Sequence, residues 1–172
     1  MLEVFWEELT SGLPDARQLV HVIIRLVAAT LLGAVVGIER ERAGKPAGVR
    51  THMLVSLGTA VLVLACSGVG MDLEGVSRVI QGIATGIGFV GAGSILKLSE
   101  ERDIQGLTTA AGIWMTAAIG VAVGLGSLGV ALLSTVMTLI ILALATPLEI
   151  GLGKRQASQS AQSEAPGRHT QP

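Results

Sequence analysis

The 172 residues provide material for one domain; half are apolar, only 15% are charged and mean hydropathy is +0.66. A typical soluble domain is about one quarter charged, so this composition excludes an ordinary soluble surface. The net charge of −1 names no partner, and the lone Cys66 excludes an internal disulfide or a multi-cysteine zinc site. The 23 glycines fall inside apolar runs, where membrane helices use small residues to pack closely. The expectation is an all-α, polytopic membrane helical bundle.

In chain order, residues 1–18 place Glu3, Glu7, Glu8 and Asp15 around Phe5, Trp6, Leu9 and Leu13. A signal peptide would be basic here, so this segment reads as a short interfacial helix anchored by Trp6. Residues 19–150 then divide into five spans at about 19–38, 51–71, 79–96, 107–124 and 128–148. The first contains Arg25, on the same i+4 series as Ala29, Gly33 and Gly37, hence on the small-residue face. Arg25 either snorkels to the nearer headgroups or is an intramembrane charge facing a polar partner.

The stretch Gly37–His52 is the most charged in the chain, and Gly44, Pro46 and Gly48 mark it as a sharply folded connector. A polar connector with Asp72, Glu74 and Arg78 precedes the third span, whose Gly82, Gly86, Ala84, Gly88 and Ala92 ladders predict the closely packed centre of the bundle. No charge occurs from Leu107 to Leu148, a run about 63 Å long as one helix, so it must fold back at Gly124–Ser127. Thr108, Gly112, Thr116, Gly120 and Gly124 form a second packing stripe. Residues 151–172 are rich in Ser, Gln, Ala, Gly and Pro and are expected to be a disordered cytoplasmic tail.

Five spans put the termini on opposite sides. The basic residues gather in the 39–50 and 97–106 loops and the tail, against Arg17 and Arg78 on the other side. The expected orientation is N-terminus outside and C-terminus cytoplasmic.

Gly86-Ile-Gly-Phe-Val-Gly91 spells a dinucleotide fingerprint, but without a preceding strand and inside an apolar run it is a helix-packing sequence. A local loosening at Gly91–Gly93, exposing carbonyls to a cation, is a weaker alternative. Glu39 and Glu41 are the weak candidates for a magnesium site, against the simpler reading that Arg40 and Arg42 neutralise them. Catalytic apparatus, cofactor motifs and nucleic-acid signatures are not expected, which points away from an enzyme.

Three blocks together resemble the MgtC/SapB family. They are Gly-Ile-Glu-Arg-Glu-Arg with Pro-Ala-Gly-Val-Arg-Thr-His, Gly-Ile-Gly-Phe-Val-Gly-Ala-Gly, and Gly-Leu-Thr-Thr-Ala-Ala-Gly-Ile-Trp, in the family's order over roughly residues 20–148. The family pattern maps onto Gly37, Glu39, Arg40, Pro46, Gly48, Arg50, Thr51, Gly86, Gly88, Phe89, Gly91, Gly93, Gly106, Leu107, Thr108, Thr109 and Trp114. The resemblance implies a multi-pass protein of the bacterial inner (plasma) membrane, tied to magnesium limitation, intracellular survival and restraint of ATP synthase. Longer members carry a C-terminal cytoplasmic domain where this chain has its polar tail.

Two readings of function follow. One is a non-enzymatic regulatory protein whose motif blocks form a cytoplasmic-side docking surface for a membrane protein partner, ATP synthase by resemblance, or for another copy of itself. The other is a small cation (magnesium) channel or transporter, suggested by Arg25, Gln81 and the glycine-rich third span. Glu39 and Arg50 are expected to act in docking rather than in stability, because exposed ion pairs contribute under about 1 kcal/mol.

Overall fold

The computed structural model describes residues 1–11, 15–97 and 104–144. Met1–Thr138 forms one compact unit, and a second begins at Leu139. The helices are α1 (Leu2–Ser11), α2 (Ala16–Arg42), α3 (Val49–Gly68), α4 (Leu73–Gly93), α5 (Leu107–Gly124) and α6 (Leu128–Leu144). Between α4 and α5, β1 (Leu96–Lys97) pairs antiparallel with β2 (Ile104–Gln105), a short ladder that an all-helical expectation lacks. Helices α2, α3 and α5 are each long and apolar enough to cross a membrane, and α6 is a shorter apolar helix as far as it is described. The expected polar tail and the last residues of the fifth predicted span lie outside the described residues.

Helix boundaries follow from local chemistry. α2 continues through the charged Glu39–Arg42, so only Ala43–Gly48 turns, and the connector is half as long as expected. The stop is a Schellman motif: Gly44 N–H donates to Glu41 and Lys45 N–H to Arg40, with Gly44 at φ +67°. Gly70 and Gly126 close α3 and α5 in the same way. α4 also starts earlier than expected. Asp72 caps it by accepting from the Gly75 N–H at 2.8 Å, and the Glu74–Arg78 pair lies on its first turns rather than in a connector.

The packed centre is α2, α3 and α5. A Cβ on Gly33 would meet the His52 carbonyl, and one on Gly37 would sit 2.6 Å from Val49 Cα. These contacts pair the end of α2 with the start of α3, so the two helices run antiparallel and nearly touch backbone to backbone. Gly112 faces His52, Gly120 faces Ser56 and Thr59, and Gly124 faces Ala60 and Val63. That order makes α5 parallel to α3. Ala29, Val36, Ala60, Val63, Ile113, Ile119 and Val123 fill the seams.

The third predicted span is not the packed centre. α4 lies at the periphery, chiefly against α5, and Gly91 is its one buried position among the described residues. A Cβ on Gly82, Gly86, Gly88 or Gly93 would meet nothing within 4 Å. The ladder is real as a sequence pattern, but most of its glycines face open space in this chain. α4 also stays helical through Gly93, and Ser94 covers the Gly91 carbonyl with its N–H and its hydroxyl.

Candidate functional site at the end of the α2–α3–α5 bundle

The last turn of α2 and the first turns of α3 and α5 meet at one end of the bundle. Arg40, 1% exposed, is carried inward there by the same face that holds Gly33 and Gly37. Its Nε and Nη2 donate to the two carboxylate oxygens of Glu39, at 2.5 and 2.7 Å. This bidentate pair is largely desolvated, with side-chain exposures of 2% and 24%. Glu41 has a different task. Its Oε2 accepts from the Val49 N–H at 3.1 Å, supplying the cap that Gly48, as N-cap, lacks. A Cβ at Gly48 would sit 2.8 Å from that oxygen, so glycine makes room for the capping carboxylate.

On α3, His52 is fully buried, and its Nδ1–H donates to the Gly48 carbonyl at 3.0 Å. A carbonyl only accepts, so Nδ1 carries a proton, and in the neutral ring Nε2 presents a lone pair. Ser56 is buried one turn further along, and Thr59 returns its hydroxyl to the Val55 and Ser56 carbonyls. On α5, Thr109 is 1% exposed, and Thr116 donates to the Gly112 carbonyl. The N-cap of α5, Gly106, has φ +98°, and a side chain there would run into the Ser94 carbonyl. His52 Nε2, Ser56 Oγ and Thr109 Oγ1 are buried without a protein hydrogen-bond partner.

The motif residues therefore separate into two groups. Gly37, Arg40 and Thr109 are buried, and Glu39, Gly48, Thr51, Gly106 and Thr108 are half-buried. Pro46, Arg50, Gly86, Gly88, Phe89, Gly93 and Trp114 are exposed, Phe89 to 84% and Trp114 to 49%. Gly91 belongs to neither group and packs on Ala110 of α5. Arg25 is far from the cluster, at the opposite end of the bundle, where its Nη1 donates to the Gly124 carbonyl at 3.1 Å. Gly112 was legible in the sequence only as part of a packing stripe, His52 only as the end of the charged connector, and Ser56 not at all. The available signal was their alignment, since His52 and Ser56 stand one helical turn apart on α3.

The weak metal candidates are engaged elsewhere, Glu39 with Arg40 and Glu41 with the α3 N-terminus. Among the described residues no group of three or more His, Cys, Asp or Glu side chains is placed to hold a metal ion.

The model of the MgtC family matches residues 26–150. The chain is 43% identical over 129 residues to Protein SrpB of Synechococcus elongatus, covering 69% of this chain and 71% of that protein. It is 42% identical over 130 residues to the putative magnesium transporter YhiD of Escherichia coli K12, covering 70% of this chain and 58% of the relative. Against Protein MgtC of Salmonella typhimurium the identity is 44% over 117 residues, 68% of this chain and 49% of that protein. The chain thus spans about half to seven-tenths of the length of these relatives. No solved structure matches it. The matched segment runs from Leu26 on α2 through all three motif blocks, and the chain belongs to the MgtC family.

Proposed function

We propose that this protein is a non-enzymatic, regulatory protein of the bacterial inner membrane, linked to magnesium limitation or membrane energetics. In this reading it has five spans, an outside N-terminus and a cytoplasmic C-terminus. It acts by contact with a membrane protein partner at its cytoplasmic end rather than by conducting an ion. The observation that carries the reading is Arg40. Its guanidinium is buried where α2, α3 and α5 converge. Paired with Glu39, the guanidinium occupies that end of the bundle and leaves this carboxylate without the spare negative charge that a magnesium ligand needs. Glu39 is already neutralised by that guanidinium and Glu41 by a helix terminus. The exposed Arg42, Pro46 and Arg50 flank the buried pair and form the surface offered to a partner.

The name of the Escherichia coli relative makes transport the rival reading. Purified protein in liposomes, loaded with a magnesium-sensitive dye, is expected to give no flux above empty vesicles. In cells grown in low magnesium, Arg42→Gln with Arg50→Gln is expected to abolish the phenotype at unchanged membrane abundance. Saturable flux carried by the wild-type protein would replace regulation with transport.

A further inference from the structure

Arg25 carries the one formal charge inside the five predicted spans, and the structure fixes its depth. Its Nη1 donates to the Gly124 carbonyl and its Nη2 lies against Gly126, so the guanidinium is tied to the end of α5. Neighbouring helices run on past that point. α2 continues nine residues from Arg25 to Ala16, and α3 continues five from Val63, the neighbour of Gly124, to Gly68. As helix these stretches measure about 13 Å and about 8 Å. In the other direction, fifteen residues of α2 separate Arg25 from the buried Arg40. That is about 22 Å, against a hydrocarbon core about 30 Å thick.

Two groups therefore stand where a flat bilayer would place hydrocarbon. A long basic side chain ordinarily snorkels to the headgroups, but this one is held at the level of α5 by Gly124. Among the described residues no carboxylate pairs with it. Beside it the turn Leu125–Ser127 is exposed, and irregular backbone facing lipid does not occur within a hydrocarbon core. An unneutralised charge and an open turn at one depth have the same remedy, which is for the polar boundary of the membrane to come to them.

We propose that the bilayer is locally thinned at the α5–α6 turn and that Arg25 there binds the phosphate of a phospholipid. Thinning of about 8 Å on this side closes the mismatch between the two polar layers. Guanidinium and phosphate match in charge and in fork geometry, and the headgroups bring phosphate to that surface. Ile23 and Val27, on the opposite face of α2, are exposed apolar side chains, so the bilayer keeps its full thickness there. The leaflet is the outer one in the orientation proposed above, and the depth argument holds in either orientation.

The test uses the full chain in liposomes whose lipids are the only source of phosphorus. Spin labels on Ser127→Cys and Val27→Cys, each in a Cys66→Ser background, report depth through collisions with oxygen and with a water-soluble nickel chelate. The label at position 127 is expected to collide chiefly with the chelate and the label at position 27 chiefly with oxygen. In solid-state NMR of arginine-labelled protein, the guanidinium signal present in wild type and absent from Arg25→Lys is expected to lose intensity through coupling to phosphorus. A label at position 127 that collides chiefly with oxygen overturns the proposal, and this measurement leaves Arg25 in place, so it decides even if Arg25→Lys does not fold. An Arg25 signal untouched by phosphorus overturns it as well. Coupling that appears only after inorganic phosphate is added identifies a free-anion site and overturns the lipid assignment.

Discussion

Arg25 donates its guanidinium to the carbonyl of Gly124, ninety-nine residues further along the chain. Gly124 is the last residue of α5, so the carbonyl belongs to the negative end of a helix dipole. The turn that follows bends at Gly126, where a side chain would collide with the same guanidinium. Arg25 is thus a C-terminal cap supplied by a neighbouring helix, with a backbone carbonyl as its polar partner.

Arg25→Met should therefore lower stability by about 1–2 kcal/mol, the scale of a charge-assisted hydrogen bond at a helix end. Arg25→Lys should recover part of the loss. Thermal melting in detergent reads both. Equal melting of Arg25→Met and wild type would leave this bond without energetic weight.

Removing the Glu39 carboxylate should be far more damaging than removing the Arg50 charge. Glu39→Gln leaves Arg40 charged and desolvated, a loss of about 3–5 kcal/mol. Arg50 is exposed, so Arg50→Gln should melt within about 0.5 kcal/mol of wild type. Glu39 is therefore expected to weigh on stability as well as on docking, because its partner Arg40 is buried. Combining Glu39→Gln with Arg40→Met should restore much of the stability. Membrane abundance and melting of the single and double variants form the double-mutant cycle.

Glycines with similar sequence surroundings should respond in opposite ways. Gly37→Leu and Gly120→Leu place a side chain against backbone of α3 and should prevent folding or cost well over about 3 kcal/mol. Gly86→Leu and Gly88→Leu meet open space and should leave the melting of the chain near wild type. Size-exclusion profiles and melting of the four variants decide the matter. Collapse of Gly86→Leu would return α4 to the packed centre that its ladder first suggested.

Orientation follows from the basic residues. Reporter fusions after Lys45 should read cytoplasmic, whereas fusions at Asp72 and Ser127 should read outside. Contact geometry adds an internal check, because Lys45 follows α2 at its Arg40 end and Ser127 follows α5 at its Arg25 end. Like signals from Lys45 and Ser127 would contradict both.

By itself the sequence determined what depends on composition and short range. Apolar runs of bilayer length separated by charges specify membrane helices, because an unpaired backbone cannot exist in lipid. Gly44, Gly70 and Gly126 announce helix ends, since a Schellman turn needs its φ > 0 residue within a few positions of the last turn. The three motif blocks were sufficient to point to the family. Tertiary structure alone decided which small-residue ladder is packed. A glycine stripe reads the same whether it meets a helix or lipid, and only the partner across the gap separates Gly37 from Gly86. It also decided that Arg40 and His52 lie inside the protein. A charge at the edge of a span is assigned to water by default, and its burial depends on Glu39, Gly48 and Gly112 arriving from three separate segments.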